Sequence, residues 1–221
     1  MKLIFATTNE GKLKEVRGYL PNIEIKSLTD FPEAEDVEET GLTYKENAFL
    51  KAESLYNQLG IPVIAEDSGI RVDWLEDKHL DKFPHKENKG MEFPGIYSAR
   101  YSSVVLNNPN LNHNYFANNH LVLAELADAK KQEDRKASYI STFCYYDGVE
   151  TKYFVGEMSG VIGFSEIGNN GFAYDTIFHP ELEDKTISEI TYAQMNNSTK
   201  NKYSHRIKSL NKIVDFLKQK A

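Results

Sequence analysis

The chain lacks several features by which common protein classes are recognised. It has one cysteine, Cys144, among 221 residues, so an intrachain disulfide and a thiolate metal cluster are excluded. Cys144 lies in the apolar stretch YISTFCYY, where we expect a buried structural thiol. No apolar run approaches the roughly 20 residues of a membrane span, and the first one ends at Thr7, too early for a signal peptide. We therefore expect a cytoplasmic protein with no membrane partner.

The chain also lacks an excess of basic residues. Its 26 Lys and Arg residues are outnumbered by 33 Asp and Glu residues, for a formal net charge of −7. Proteins that bind duplex nucleic acid usually present a basic face, so we expect no nucleic-acid partner. An acidic protein can still contain a cationic pocket for a small anion. With 40% hydrophobic and 12% aromatic residues, the chain can bury a sizeable core.

Apolar periodicity predicts alternating strands and helices in the first half of the chain. PVIAEDSG is expected to be a short buried strand that ends in two acidic residues and a turn, and IRVDWL is strand-like. A T-x-x-E capping box, Thr43 to Glu46, opens the second helix. The other predictions are strands at 2–7 and 23–28 and helices at about 10–20 and 43–59.

The second half predicts a helix, a hairpin and a C-terminal helix. The hairpin turns at Asp147-Gly148, and a glycine-rich loop, EIGNNGFAYD, follows it. Residues 76–94 are charged and have no periodicity, which predicts an exposed loop. The helices are expected at about 114–131 and 203–220. The pattern as a whole predicts an α/β fold with a mixed sheet, in one domain of two lobes.

The first strand-to-helix turn, ATTNEGK, lacks the pattern of a P-loop. Gly11 is its only glycine, and Leu13 follows Lys12 where a P-loop has Ser or Thr. The helix N-terminus offers unpaired N–H groups and the positive end of a dipole, to which Lys12 adds a charge, so the turn can hold a phosphate. An ordinary N-cap with a surface lysine explains the same residues, and the turn alone does not decide.

Two pairs of acidic residues are candidate metal ligands. Glu66 and Asp67 end a predicted strand, and because adjacent strand side chains point to opposite faces, at most one should face a given cleft. That carboxylate can bind Mg²⁺ together with substrate phosphate oxygens, or it can cap the turn at Ser68. Glu38 and Glu39 can supply a second ligand or form a solvated acidic loop.

Cationic and aromatic residues are further candidates. Lys51 shares a helix face with Asn47 and either reaches a phosphate or is exposed. Phe172 and Tyr174 either stack on a flat heterocycle or anchor their loop in the core. The segment KNKYSHR, residues 200–206, places cations at a predicted helix start. The helix dipole disfavours cations there, which favours a binding role.

Six motifs, in order along the chain, resemble the inosine triphosphate pyrophosphatase family: ATTNEGKLKEV, EETGLTYKENAFLKA, AEDSGIRVD, PGIYSARYS, GNNGFAYDTIF and AQMNNSTKNKYSHR. The resemblance covers most of the chain. It implies a two-lobed α/β fold, with a long mixed sheet flanked by helices and a cleft between the lobes, and a homodimer. It also implies Mg²⁺-dependent hydrolysis of ITP, dITP and XTP to the nucleoside monophosphate and pyrophosphate, which cleanses the nucleotide pool.

The resemblance further implies a role for each matched position. Asp67 is implied as the catalytic proton acceptor for the attacking water, and Glu39 and Asp67 as Mg²⁺ ligands. The other matched positions are implied to bind the substrate. Lys51 is implied to face the phosphates and Ser68 to contact the substrate. The rest are Thr7, Thr8, Asn9, Glu10, Gly11 and Lys12 at the turn that would hold the triphosphate, Phe172, Ala173, Tyr174 and Asp175 in the loop that would sandwich the base, and Lys200, His205 and Arg206 near the C-terminus.

Two departures from the family pattern bear on these roles. The family loop reads G-F-G-Y-D, and Ala173 replaces its second glycine; a positive φ at that position would strain alanine. A charged insertion, residues 76–93, also separates V-D-x-L from P-G-x-x-S-A-R-Y. The alternatives are a Maf-like pyrophosphatase for modified pyrimidine nucleotides and a catalytically silent nucleotide-binding module. The S-H-R cluster favours a purine, and the retention of Asp67, Glu39 and Lys12 speaks against a silent module.

Overall fold

A six-stranded mixed sheet organises the computed structural model, which describes residues 2–8, 10–35, 37–82, 92–171 and 173–220. Its strand order is β2-β1-β3-β4-β5-β6, with β1 parallel to β2 and β3, and β5 antiparallel to β6. The strands are β1 Lys2–Phe5, β2 Glu24–Ser27, β3 Val63–Val72, β4 Lys136–Tyr146, β5 Thr151–Ile162 and β6 Phe178–Pro180. The helices are α1 Glu10–Tyr19, α2 Tyr44–Leu59, α3 Tyr101–Val105, α4 Tyr115–Glu125, α5 Asn197–Tyr203 and α6 His205–Lys220. The predicted α/β class is confirmed.

The chain divides into two compact units, to both of which β3, β4 and β5 contribute residues. Unit 1 comprises Met1–Ser68, Ser141–Gly156 and His205–Ala221, and unit 2 comprises Gly69–Ile140 and Glu157–Ser204. Among the described residues, no helix combines the length and the apolar character needed to cross a membrane.

Local signals account for most of unit 1. On α1, Leu13, Val16 and Leu20 form one buried stripe, as the 3.6-residue period predicts. The capping box of α2 is present: Thr43 Oγ1 accepts from the Glu46 N–H at 3.2 Å, and Glu46 Oε2 accepts from the Thr43 N–H at 3.1 Å. Cys144 is fully buried, and burial raises the pKa of its thiol to about 12. The expectation of a structural thiol is confirmed.

The turn expected after Asp67 is absent, because β3 continues without a break through Ser68 and Gly69 to Val72. Its parallel neighbour β1 is much shorter: Phe5, its last residue, pairs with Ile64. The acidic pair in β3 therefore lies just beyond the carboxyl end of β1, where ligands gather in open α/β sheets. The prediction that β3 ends at Asp67 was therefore wrong. The strand that ends close to this point is its neighbour β1, whose last residue pairs with Ile64.

The helix predicted for residues 114–131 ends at Glu125. A buried arginine explains the early end, because Arg135 Nη1 donates to the carbonyl oxygens of Leu126 at 2.8 Å and Ala129 at 3.0 Å. Its Nε donates to Ile162 O at 2.7 Å and its Nη2 to Gly163 O at 2.6 Å. In a longer helix, backbone N–H groups would donate to the Leu126 and Ala129 carbonyls; here the guanidinium N–H groups of Arg135 donate to both.

We expect Arg135→Lys to lower the free energy of unfolding by about 2–4 kcal/mol, because lysine cannot reproduce the guanidinium fork and leaves buried carbonyls unpaired. Urea denaturation measures the change. Arg17→Lys is the matched control, since Arg17 is exposed and donates to a single carbonyl, that of Ile25. Equal losses in the two variants would contradict the role given to Arg135.

The region 76–94 is only partly the exposed loop that was predicted. Leu80 packs against the unit 2 core, and Phe93 is fully buried while its carbonyl accepts from the Val72 N–H at 2.7 Å. His79 Nε2 forms a short contact with Glu125 Oε1 on α4. Scattered apolar residues therefore fix both ends of the charged insertion, and residues 83–91 lie outside the described residues.

Candidate functional site

Three elements of unit 1 bring two carboxylates and a lysine together. Asp67 comes from β3, Lys51 from α2, and Glu39 from the segment that precedes α2. Lys51 Nζ lies 2.8 Å from Glu39 Oε1 and 3.9 Å from Asp67 Oδ1. Asn47, fully buried one helical turn before Lys51, donates through Nδ2 to Asp67 Oδ2 at 3.2 Å. The predicted residues Glu39, Lys51 and Asp67 therefore form one cluster.

The pKa of the Asp67 carboxyl suits proton transfer near neutral pH. Burial raises the pKa of its carboxyl to about 6, with the Glu39 charge acting in the same direction and the Lys51 charge opposing it. The backbone N–H of Ser68 and the Asn47 amide donate to its two oxygens, which fixes the orientation of the carboxylate. The turn that Asp67 was alternatively expected to cap is absent, because β3 continues through Ser68, but Asp67 Oδ1 still accepts from the Ser68 N–H at 3.0 Å.

The residues of this cluster fit a divalent cation. Glu39 and Asp67 are both partly exposed, at 32% and 13% of their side chains, and a positive group, the Lys51 ammonium, already lies beside both. The raised pKa of Asp67 shows that its ionised form is disfavoured by burial and by the Glu39 charge. An added positive charge would therefore stabilise both carboxylates in their ionised form. No described group of three or more His, Cys, Asp or Glu side chains is arranged to hold a metal, but Mg²⁺ commonly takes one or two carboxylates and fills its shell with water and substrate phosphate.

Glu66 points away from this cluster and forms a second one in unit 1. Its side chain is 1% exposed, with Lys12 Nζ 2.9 Å from Oε2 and Arg206 Nε 2.7 Å from Oε1. The Ser141 hydroxyl donates to Oε1 at 2.9 Å. Burial opposes ionisation, but Arg206 and Lys12 together hold the pKa of Glu66 well below its usual range. One carboxylate on β3 thus joins the first turn of α1 to the first turn of α6.

The triphosphate turn has the geometry of a helix N-terminus. Thr7 and Thr8 lie between β1 and α1, which begins at Glu10 and contains Gly11 and Lys12. The carbonyl of Thr7 accepts from the Leu28 N–H at 3.2 Å, so the turn is fixed against the end of β2. Asn9 lies outside the described residues. The α1 N-terminus and Lys12 are the groups that can receive an anion here.

His205 and Arg206 open α6 as predicted, but the helix prediction for this region needs a correction. Residues 197–203 form a separate helix, α5, and Lys200 and Lys202 lie in its last turn, where the dipole favours cations. The argument that every cation of KNKYSHR sits unfavourably at a helix start was therefore wrong for these two lysines. Burial and the nearby Arg206 lower the pKa of His205 to about 3, so its imidazole is neutral at pH 7 and offers one donor and one acceptor.

In unit 2, the base loop, which we define as residues 168–175, is held by an ion pair. Lys200 Nζ lies 2.8 Å from Asp175 Oδ2, both side chains being 11% exposed, and it donates to Asn170 O at 2.7 Å. The Tyr139 hydroxyl donates to Asp175 Oδ1 at 3.0 Å. A Cβ on Gly171 would come within 2.1 Å of the Asp175 carboxylate, so this loop position requires glycine.

Ala173 adopts the conformation that makes its departure from the family pattern costly. Its φ is +55°, in the left-handed region, where an L-residue with a Cβ is strained by about 1–2 kcal/mol. Its neighbour Tyr174 is buried and donates through its hydroxyl to Ser98 O at 2.7 Å, so it anchors the loop as well. Phe172, the ring expected to stack on the base, lies outside the described residues.

The sequence and the fold of this chain are both similar to those of known proteins. The sequence model of the Ham1 family matches residues 3–216. The chain belongs to the Ham1 family. It is 36% identical to the dITP/XTP pyrophosphatase of Bacillus licheniformis over 99% of this chain and 98% of that protein, and 37% identical to that of Dictyoglomus thermophilum over 97% and 93%. The resemblance found from the six motifs is confirmed.

Solved structures of the Ham1 family have the same fold. The Staphylococcus aureus Ham1 protein superposes with a TM-score of 0.81 at 32% identity over 100% of both chains. The nucleoside-triphosphatase / dITP/XTP pyrophosphatase of Mycobacterium abscessus gives 0.75 at 32% identity, covering 96% of this chain and 98% of that one. The insertion and the alanine at 173 therefore leave the family fold in place.

Sequence reasoning assigned no final role to three polar residues of this Ham1 protein: Glu66, Asn47 and Tyr139. The alternation rule correctly put Glu66 and Asp67 on different faces, but we expected only one of them to matter. Asn47 is four residues before Lys51, and this i, i+4 spacing on the helix face of a candidate site residue is a signal that the sequence offers. Tyr139 carries no such signal, because it resembles its aromatic neighbours in the β4 sequence.

Proposed function

We propose that this Ham1 protein hydrolyses the non-standard purine nucleotides ITP, dITP and XTP to the nucleoside monophosphate and pyrophosphate. The observation that carries the proposal is the cluster of Asp67, Glu39 and Lys51, in which the Lys51 ammonium lies beside both carboxylates and the pKa of Asp67 is raised to about 6. The relatives named dITP/XTP pyrophosphatases support the substrate class. Loss of these nucleotides from the pool would be the biological consequence.

In the proposed reaction, Asp67 accepts a proton from the attacking water. A bond forms between the water oxygen and the α-phosphorus, the bond from that phosphorus to the bridging oxygen breaks, and its electron pair leaves with pyrophosphate. Asp67 then returns the proton to solvent. A pKa of about 6 suits this task, because the base is ionised at pH 7 and still has useful affinity for a proton.

Charge neutralisation is divided between the protein and a metal ion. Glu39 and Asp67 would hold Mg²⁺, which when bound screens the negative phosphate oxygens. Lys12 and the α1 N-terminus, with Thr7, Thr8, Asn9, Glu10 and Gly11, would hold the phosphates, and Lys51 and Ser68 would contact the same end of the substrate. Phosphoryl transfer needs mainly such positioning and electrostatic stabilisation.

Base recognition would come from the base loop and the residues that begin α6. Inosine and xanthine present an acceptor, the 6-oxo group, where adenine presents an amine. The guanidinium of Arg206 donates only, and neutral His205 has one N–H, so an adenine amine would leave donors unpaired. A site built in this way can discriminate strongly against the wrong base. Phe172, Ala173, Tyr174, Asp175 and Lys200 are the residues of unit 2 that would contribute to binding of the base.

A pyrophosphate-release assay tests the proposal. With Mg²⁺ at pH 8, we expect kcat/KM for ITP, dITP and XTP to exceed that for ATP at least about 100-fold, because of the unpaired donors just described. GTP is also expected to be a poorer substrate, but its base keeps the 6-oxo group, so the 2-amino group is the feature that would distinguish it. Omission of Mg²⁺ with a chelator present is expected to remove turnover of all five. Assays with manganese and calcium show whether the metal requirement is specific.

Each other outcome of that assay has a definite meaning. Equal rates on all five substrates would contradict the base specificity. Release only from modified pyrimidine triphosphates would favour the Maf-like alternative, and no release from any substrate would favour the silent module. Cytoplasmic location and a homodimer are part of the proposal, and fractionation of cells and sedimentation velocity of the purified protein test them.

A further inference from the structure

Ala173 requires a group that keeps its backbone in the left-handed region. Its φ of +55° is disfavoured for alanine and neutral for glycine. Strained residues of this kind persist only where the surrounding structure determines them. The family pattern has glycine at this position, so the need for such a group follows from the alanine of this chain.

A single buried amide contacts the Ala173 backbone. Asn119 on α4 is 3% exposed, and its Nδ2 donates to Ala173 O at 3.1 Å. The same nitrogen lies 2.7 Å from Glu166 Oε1 and 3.0 Å from Thr176 Oγ1. Asn119 therefore joins α4 to Glu166, two residues before the base loop, to the loop itself and to Thr176, the residue after it.

The surrounding contacts keep these acceptors in place. Thr176 Oγ1 donates to Glu166 Oε1 at 3.0 Å, and the Ile167 N–H donates to Thr176 O at 2.8 Å. The two ends of the loop are thus closed independently of Asn119, and the bond to Ala173 is the contact that depends on it. Loss of the amide would leave residue 173 free to relax toward a right-handed conformation.

We propose that Asn119 is a positioning residue for the base, which holds Ala173 in the left-handed conformation by donating to its carbonyl. The inference rests on the proposed function in that the loop is taken to hold the purine. Asn119 touches no reacting atom, so its removal acts on the order of the loop. The effect is expected in KM, and kcat is expected to change little.

The test is a comparison of two backgrounds. Asn119→Ala is expected to raise KM for ITP at least tenfold, with kcat changed less than threefold. In the Ala173→Gly background the same change is expected to raise KM less than threefold, because glycine adopts the left-handed conformation without strain. Asn119→Leu, which is similar in size and cannot donate, is expected to behave like Asn119→Ala.

Asn118 supplies the matched control. It is also buried on α4, but its amide contacts Ser102, Ser98 and Ala99. Asn118→Ala is expected to have the same effect with alanine or glycine at position 173. A KM increase for Asn119→Ala that is equal in both backgrounds, or a loss confined to kcat, would overturn the proposal. If Asn119→Ala does not fold, Asn119→Ser takes its place in the same comparison.

Hydrogen exchange separates this proposal from the proposed function. Backbone amides of the base loop are expected to exchange at least tenfold faster in Asn119→Ala, while those of α4 keep their wild-type rates. Unchanged loop exchange would overturn the proposal whether or not the enzyme is active. If the wild-type protein releases no pyrophosphate from any nucleotide, the proposed function fails, and the exchange measurement still decides the role of Asn119.

Discussion

Asp67→Asn is expected to reduce turnover of ITP by about 10³-fold or more while nucleotide binding stays measurable. The variant keeps the size of the side chain but loses the proton acceptor, and general-base catalysis contributes about 10²–10⁴-fold. One of the two proposed carboxylate ligands of Mg²⁺ is lost as well, which adds to the effect. Steady-state assays of pyrophosphate release measure turnover, and calorimetric titration with ITP measures binding.

The same variant is expected to be more stable than the wild type when no metal is present. The pKa of Asp67 is raised from 3.8 to about 6, so between these pH values the folded protein binds more protons than the unfolded chain. Stability is therefore lost as pH rises through that window, by up to about 3 kcal/mol. Asparagine has no such cost, so we expect a gain of about 1–3 kcal/mol at pH 8 and almost none near pH 4.

Thermal unfolding in EDTA at several pH values measures this gain. Asp215→Asn is the matched control, because Asp215 is exposed on α6 and should change neither turnover nor the pH dependence of stability. A variant that keeps near-normal turnover would contradict the role of Asp67. A gain in stability that is the same at pH 4 and pH 8 would contradict the electrostatic origin.

The parts of this fold that could be read from the sequence are those with local signals. The capping box of α2 and the stripe on α1 each depend on residues within one or two turns of each other. The hairpin of β4 and β5 was likewise indicated by the turn at Asp147-Gly148, and Gly148 has φ of +86°. Such features are decided by the backbone and its nearest neighbours.

The parts that could not be read depend on distant partners. Nothing near Arg135 in the sequence indicates that its acceptors include the carbonyl of Ile162, 27 residues away. The continuation of β3 past Asp67 is a property of the sheet, because a Ser-Gly pair is equally typical of a turn. The α5 helix had a local signal, the N-cap Asn196, whose side chain accepts from the Thr199 N–H at 2.9 Å, but seven residues are too few for a periodic pattern.

The candidate site divides in the same way. The motifs placed Asp67, Glu39 and Lys51 together, and their cluster follows from the elements that carry them. The motifs did not indicate that Lys12 and Arg206, which are 194 positions apart in the numbering, share one buried carboxylate. That contact makes Glu66 the residue that joins the first turns of α1 and α6, two regions proposed to bind the substrate.

Glu66→Gln is accordingly expected to lower the free energy of unfolding by about 3–5 kcal/mol. The substitution removes the negative charge of a buried side chain and leaves Lys12 and Arg206 with an uncharged partner. Breaking a buried ion pair costs this much because the remaining charge is not compensated. Chemical denaturation at pH 7 measures the loss. Glu24→Gln is the matched control, since Glu24 is 60% exposed and paired with Lys26 at 3.5 Å; surface pairs of this kind contribute about 0–1 kcal/mol.

The pH dependence identifies the origin of that loss. Because the pKa of Glu66 is depressed below its ordinary 4.5, its contribution is fully present above pH 4.5 and is lost as pH falls through the folded-state value. Acidification therefore removes the contribution of ionised Glu66 to the free energy of unfolding of the wild type. The glutamine variant lacks this contribution at every pH. The difference between the two proteins should narrow below pH 4.5, and a constant difference would contradict the ionic explanation.

Activity of the glutamine variant tests whether the buried carboxylate positions the two cations. Without Glu66, Lys12 and Arg206 repel one another, and a displacement of about 1 Å is expected to lower kcat/KM about 100-fold. A variant that loses stability but keeps full kcat/KM would make Glu66 a purely structural ion, with Lys12 and Arg206 placed by their helices alone.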